Sequence, residues 1–411
     1  MTETKRTYCR LCHWKCGLIF AFENGKAISV KGDKDHPVTR GMICSRGRLM
    51  VDHLYHPDRI NYPIKRTGER GRGQWQRISW DQALDEVAGK LDALRGKYGA
   101  ETLAFTHGTD RTYHWDQRRF FNLFGSPNTC GANNICYCPS LAVEYATYGG
   151  ETLGDIDHTK CIVLWGHGSS KSYAGEFKEI SMAKKNGATL MVIDPRRIRE
   201  AEIADIWLPI RPGTDVALML GWLRIIIDEE LYDRDFVGQW TVGFEDLKTA
   251  VSDYTPDRVA QITWLDPNLI VKSARCYAMS GPAMITWGLG IDKQGLNATQ
   301  AARARSILRA ITGNIDIPGG ELLGWNDPIG KIVTADKLEL NEAITAKQRA
   351  KQLGIDEYPF FGFPGWEMNE KANRKLPSEY MHPPYADISS MAHARPVLDA
   401  MLTHKPYPVR A

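Results

Sequence analysis

Short apolar runs alternate with helix-spaced segments through the middle of this 411-residue chain, and that alternation narrows the fold more than any other feature. Ile162 to Trp165 reads as a buried strand ending in Gly166-His167-Gly168-Ser169-Ser170. Tyr173, Phe177, Ile180 and Ala183 follow at helical spacing, Gly187 stops the helix, and Thr189 to Ile193 is the next strand, closed by Asp194-Pro195-Arg196-Arg197. A strand, a helix and a strand of this length predict a parallel pair joined by a crossover helix. Ligands of such sheets bind beyond the carboxyl ends of the strands, and both ends here carry the small, polar or charged residues that a nucleotide site needs. Ile206 to Arg211 continues the pattern into Pro212-Gly213-Thr214-Asp215 and an apolar helix. Thr214 or Asp215 could cap that helix and its free amides could hold an anion, but for this tetrapeptide in isolation a simple loop and cap is the favoured reading. Ala283 to Trp287 is a further strand, leading to Gly288-Leu289-Gly290 and a helix over Ala298 to Ile311.

The composition, 43% hydrophobic and 25% charged, is that of a globular protein with two or three domains' worth of core. A net charge of +3 is small for this size and argues against nucleic acid as a partner. Val216 to Ile227 is apolar but too short to span a bilayer and contains Arg224, so no membrane span is expected. Pro63 to Gln74 reads as an exposed linker. Ser79 then caps a helix whose apolar face is Trp80, Ala83, Leu84, Val87, Leu91 and Leu94.

Four cysteines gather near the start, in Cys9-Arg10-Leu11-Cys12-His13-Trp14-Lys15-Cys16 and at Cys44. Three close thiolates and one remote one suit a [4Fe-4S] cluster; a structural zinc site is the alternative that spacing leaves open. Cys9 to His13 also matches the haem-attachment pattern, but that reading leaves Cys16 and Cys44 unexplained. Gly17 to Phe22 and Ala27 to Val30 are strand-like around the turn Glu23 to Lys26, a hairpin to shield the cluster. Nine cysteines without an export signal point to a reducing, cytoplasmic setting, with Cys161 and Cys276 as core residues.

Taken in order, further segments resemble the molybdenum or tungsten bis-pterin oxidoreductases, the dimethyl sulfoxide reductase family. They are the four-cysteine run, Cys44-Ser45-Arg46-Gly47, Arg77 to Ala83, Gly125 to Asn128 before Ile135-Cys136-Tyr137, Val192 to Arg196, Ala204 to Asp215 and Thr312 to Asp316. The resemblance implies a [4Fe-4S] cluster and bis-molybdopterin guanine dinucleotide with Mo or W. It implies an α/β fold, with a small N-terminal iron-sulfur domain (1–62) followed by doubly wound parallel-sheet domains. These are a pterin-binding domain (63–150 with about 325–411) and a nucleotide-binding domain (151–324). The family's C-terminal barrel has no counterpart in these 411 residues.

The same resemblance makes Cys136 the protein ligand of the metal, with Cys138 next and Cys130 as the third cysteine nearby. It sets Arg46 between the cluster and one pterin, and assigns nucleotide contacts to Gly166, His167, Ser169, Asp194, Arg196, Gly213 and Asp215. The reaction it implies is electron transfer between cluster and metal centre on a small substrate. Formate dehydrogenases of the family place His directly after the metal ligand, where this chain has Tyr137. The chain is also similar to the acetylene-hydrating tungsten branch, through Trp75 to Asp85 and Lys405 to Arg410. In that branch an acidic residue follows the second cluster cysteine; here the position is His13, expected to act as an acid or base or to hydrogen-bond a cluster sulfur. Since the family normally continues for several hundred residues, the expected partners are a second chain or further C-terminal half, and an electron-transfer subunit. A partial cofactor-binding subunit active only with such a partner is the remaining alternative.

Overall fold

The computed structural model describes residues 2–12, 14–108, 114–131, 136, 138–292, 297–323, 338–359, 361–373 and 390–411. Its strands are β1 (Glu3–Tyr8), β2 (Gly17–Glu23), β3 (Lys26–Gly32), β4 (Ile64–Arg66), β5 (Trp75–Arg77), β6 (Phe105–His107), β7 (Thr129–Gly131), β8 (Thr152–Gly154), β9 (Cys161–Trp165), β10 (Thr189–Ile193), β11 (Ile206–Leu208), β12 (Ala283–Trp287) and β13 (Glu321–Leu323). The helices of ten residues or more are α1 (Trp80–Tyr98), α2 (His114–Phe124), α3 (Cys138–Tyr148), α4 (Ala174–Lys185), α5 (Asp215–Asp228), α6 (Pro267–Met279), α7 (Ala298–Ile311), α8 (Phe363–Asn373) and α9 (Ala394–Thr403). Contacts group the chain into two units, one of residues 1–22, 31–47 and 135–326, the other of 23–30, 48–134 and 327–411. This grouping is by contacts and does not follow the sequence-drawn boundaries at 62, 150 and 324.

The first unit is built on a parallel sheet of order β11-β10-β9-β12. All five residues of β9 are buried, as the centre of a sheet covered on both faces requires. Side chains alternate between those faces. Cys161, Val163 and Trp165 enter the core shared with α5, α6 and α7, whereas Ile162 and Leu164 meet Ile180, Leu190, Val192 and Ala201. Trp165 packs edge-on to Trp222, which stacks on Tyr277 of α6. The sheet is therefore doubly wound. The chain moves outward from β9 to β10 and β11, then returns to the far side of β9 as β12, so the reversal point falls between β9 and β12.

Two local expectations for this unit are corrected. The Thr214 side chain does not cap α5: its hydroxyl donates to the Arg211 carbonyl at 2.7 Å, and Asp215 instead accepts from the Trp165 indole at 2.9 Å. Cys276 is only half-buried, while Cys161 is fully enclosed.

In the second unit, the exposed segment read as a linker holds β4 and leads into its antiparallel partner β5, and Lys65 reaches Glu86 of α1. Ser79 caps α1 as expected, accepting from Gln82 N at 3.1 Å, but no residue of that helix is buried. The parallel pair β6–β7 leads to a core of Cys130, Leu353, Ala392, Val397, Ala400 and Val409. Among the described residues, no helix is long and apolar enough to cross a membrane.

Candidate functional site

The cysteine loop hangs between β1 and β2, which pair antiparallel with Tyr8 opposite Gly17. Directly beyond that register, Cys9 N donates to Cys16 O at 2.7 Å and closes the loop at its neck. Lys15, with φ 44°, turns the chain back toward Cys16. A side chain at Gly17 would meet His36, so the close pass of the 33–39 turn requires glycine there. Cys44 opens the helical turn Ser45–Arg48.

The four thiols are electrostatic neighbours. Burial raises Cys9, and burial together with Cys12, Cys9 and Cys44 pushes Cys16 up to about 11. Burial also opposes ionisation of Cys44, but the Gly47 and Arg46 amides and the Arg46 side chain more than offset it and lower that thiol. Among the described residues, no three His, Cys, Asp or Glu side chains are gathered tightly enough to hold a single metal ion. Four thiols in this neighbourhood are a donor set that fits an iron-sulfur cluster.

Two contacts tie this loop to the sheet. Arg46 Nη2 donates to Ser172 O at 3.2 Å, just before α4. The Trp14 indole lies so close over Gly175 that a Cβ there would fall 1.9 Å from its Nε1. Gly175→Ala is therefore expected to displace Trp14 at a cost of about 1–3 kcal/mol, the usual range for overpacking. The measurable result is a lower iron-to-protein ratio after desalting under anaerobic conditions; an unchanged ratio and melting temperature would disprove the docking role.

At the reversal point, Gly166 (φ 59°) and Gly288 approach until a Cβ on Gly288 would stand 2.0 Å from the Gly166 carbonyl oxygen. Gly288 N donates to Trp165 O at 2.9 Å, which fixes the ends of β9 and β12 side by side. This leaves a side-chain-free cradle at the carboxyl edge, where doubly wound sheets bind nucleotides. Around it, His167 Nε2 lies 2.7 Å from Glu176, and its ring stacks on Tyr173. The fully buried Ser169 hydroxyl donates to Glu200 at 3.1 Å, and Asp194 accepts from the Arg196 amide at 2.9 Å, holding the loop after β10 in a tight turn. The Arg196 side chain is 76% exposed, with its Nε 3.4 Å from Asp194. Gly213 (φ 81°) has no atom within 4 Å of a notional Cβ, so it lines an open edge. The enclosed polar groups and glycine cradle fit a dinucleotide.

Of the three cysteines considered for the metal, Cys130 belongs to an apolar core and burial pushes its thiol up to about 11. Cys136 is half-buried and lies in the unit that carries the cluster thiols and the sheet. Cys138 begins α3, its side chain outside the described residues, as are His13 and Tyr137.

Sequence reading missed the buried ion network that ties α3 to α7. Glu144 of α3 is bound by Arg309 Nη1 at 2.8 Å and by Arg305 Nη2 at 3.2 Å, both from α7. Arg309 also donates to Ile285 O at 2.7 Å and to Thr152 at 3.0 Å, and pairs with Glu321 at 3.0 Å. Burial opposes its charge, yet Glu321, Tyr148 and Glu144 hold its pKa raised. Arg305 lies 4.4 Å over the Trp287 ring at the end of β12. Helical spacing alone put Arg305 and Arg309 on one face of α7; nothing local showed that the face is internal. Glu200 and the Trp14–Gly175 contact left no sequence signal either.

Residues 2–56 match the Molybdopterin oxidoreductase Fe4S4 domain, and residues 59–387 match Molybdopterin oxidoreductase. The acetylene hydratase of Syntrophotalea acetylenica is 38% identical over all of this chain and 56% of its own length. The thiosulfate reductase molybdopterin-containing subunit of Salmonella typhimurium is 30% identical over all of this chain and 52% of its own. Among solved structures, acetylene hydratase from Pelobacter acetylenicus superposes with a TM-score of 0.86 at 37% identity, covering 99% of this chain and 56% of that one. The chain thus spans about half the length of these relatives.

Proposed function

Because this chain belongs to the molybdopterin oxidoreductases that carry an Fe4S4 domain, we propose that it passes electrons between its cluster and a Mo or W centre acting on a small substrate. The family's cofactors, a [4Fe-4S] cluster and bis-molybdopterin guanine dinucleotide with Mo or W, are those of this chain. When bound, the metal centre supplies two-electron chemistry and the cluster exchanges electrons one at a time.

The observation that carries this reading is Arg46. Its side chain bonds the Cys44 thiol and donates to Ser172 O beside the nucleotide end of the sheet. A fixed cation there lowers the energy of an electron arriving on either side. Cys9, Cys12, Cys16 and Cys44 would hold the cluster, and Cys136 the metal. Gly166, His167, Ser169, Asp194, Arg196, Gly213 and Asp215 would line the nucleotide sites. His13 would serve as an acid or base, or as a hydrogen-bond donor to a cluster sulfur. The rest of the relatives' length, as a second chain or a further C-terminal half, would complete the metal cavity, with an electron-transfer subunit as a further partner.

Hydration is the second reading, favoured by the 38% identity to an acetylene hydratase along the whole chain. His13 weighs against it, since an imidazole is a different device from a carboxylic acid kept protonated by its site. Both readings are tested on one anaerobic preparation with measured Fe, Mo and W, assayed for dye-linked turnover and for acetylene hydration, beside His13→Asp. Dye-linked turnover by the parent protein is expected. Hydration without dye-linked turnover would reverse the assignment, and iron without Mo or W would favour a subunit active only with its partner.

A further inference from the structure

His167 follows the turn at Gly166 and lies against the glycine cradle, since a Cβ on Gly288 would meet its Cα at 3.0 Å. Its side chain is 9% exposed and is held on two sides. Nε2 lies 2.7 Å from the Glu176 carboxylate of α4, and the ring stacks on Tyr173 with 6.0 Å between centroids and 14° between planes. Both supports come from the segment that the cluster loop also touches, through Arg46 on Ser172 and Trp14 on Gly175. We propose that Glu176 is a positioning residue for the nucleotide. It fixes the His167 ring with a proton on Nε2, so that Nδ1 presents a lone pair to a donor of the guanine nucleotide, a ribose hydroxyl or a guanine N–H. This role rests on the carboxyl edge of the sheet being the nucleotide site.

An ionised carboxylate only accepts hydrogen bonds, so the proton shared across 2.7 Å belongs to Nε2. In a neutral imidazole the other nitrogen is then an acceptor, and the partner of one nitrogen decides what the other can do. Nδ1 has no hydrogen-bond partner among the described residues. The Tyr173 face limits ring rotation, and a ring held by both contacts meets its ligand without first losing rotamer freedom. The partners that orient metal-binding histidines are worth about 10–100-fold in affinity, and the same arrangement sets the scale here. Glu176 acts through His167 and not on the nucleotide itself. A carboxylate that merely stood near the diphosphate would repel it, whereas one that orients His167 helps binding despite its charge. The two roles therefore predict opposite signs on removing Glu176.

The test titrates GDP, the nucleotide moiety of the cofactor, into the full chain produced without the pterin, by calorimetry. Glu176→Leu and Glu176→Ala, which lack an acceptor, are expected to weaken GDP about 10-fold. Glu176→Gln keeps an oxygen that accepts from Nε2 and should bind nearly as the parent does. In His167→Ala the loss should be as large, and adding Glu176→Leu should change nothing more, as for two residues acting as one unit. In protein carrying its cofactor, the guanine nucleotide released by acid should fall in Glu176→Leu while iron stays constant. A Glu176 effect that disappears with 2′-deoxy-GDP puts the donor on the ribose, and one that disappears with inosine diphosphate puts it on the guanine amino group. Unchanged or tighter GDP binding by Glu176→Leu and Glu176→Ala overturns the positioning role, as does an additive loss in the double variant. An equal loss with inorganic pyrophosphate, which offers neither donor, overturns the lone-pair assignment. No GDP binding by the parent overturns the nucleotide site and this role with it, while dye-linked turnover still decides the electron-transfer reading.

Discussion

Arg309→Ala is expected to destabilise the sheet unit by about 3–5 kcal/mol, the cost of removing one member of a buried ion network. The guanidinium is 2% exposed and joins four elements: α3 through Glu144, β8 through Thr152, β12 through the Ile285 carbonyl and β13 through Glu321. Without it, two buried carboxylates face each other with Arg305 as the nearby cation, and the Ile285 carbonyl loses its donor. For a unit of this size the melting temperature should fall by roughly 10 °C. Arg309→Lys keeps the charge without the planar fork and should lie between parent and alanine variant. A triple change, Arg309→Met with Glu144→Gln and Glu321→Gln, removes the stranded charges and should recover much of the loss. Differential scanning calorimetry on anaerobic samples decides the matter: a shift under about 2 °C for Arg309→Ala would show that the network carries little stability. Because α3 starts two residues after Cys136, the same variant should also disturb the position of that thiol.

Cys136→Ala is expected to reduce turnover at least about 100-fold, the effect of losing one directed interaction at a reacting centre. Iron content and the cluster's visible absorption should be unchanged, since the cluster thiols lie elsewhere. The electron paramagnetic resonance signal of the Mo or W centre should shift, a readout independent of turnover. Cys130→Ala is the control. Its thiol lies in the apolar core with Leu353, Ala392 and Val397, so its loss should lower stability by about 1 kcal/mol and leave turnover in place. Full turnover by Cys136→Ala would remove this residue from the metal site, and Cys138 would take its place as the candidate.

Much of the fold was readable before any coordinates. The strand from Ile162 to Trp165, the helix stopped at Gly187, the strand from Thr189 to Ile193 and the helix from Ala298 to Ile311 all stand where periodicity put them. Such segments carry their own signal, because one face or both must be apolar to be buried. The hairpin turn after Glu23 was equally local, with Asn24 and Gly25 both at positive φ. The errors arose where local pattern has two outcomes. A Gly- and Arg-rich stretch formed the β4–β5 pair instead of a linker, and Thr214 spent its hydroxyl on Arg211 instead of the helix end. The apolar stripe of α1 suggested burial, yet Trp80 is 65% and Leu84 62% exposed, because amphipathicity shows which face can be buried and not what covers it.

The sequence by itself determined the chemistry on offer: four thiols at cluster spacing, a parallel α/β sheet, and small and polar residues at its strand ends. Those properties are set by residue type and short-range spacing, which the chain carries along its length. Only the tertiary structure decided that strand order reverses between β9 and β12, so that Gly166 meets Gly288. It also decided that Trp14 seats on Gly175, that Arg46 reaches Ser172, and that Arg309 lies inside an ion network. Most of those contacts join residues more than a hundred positions apart, and such pairings follow from how layers stack around a common core, which no local stretch encodes.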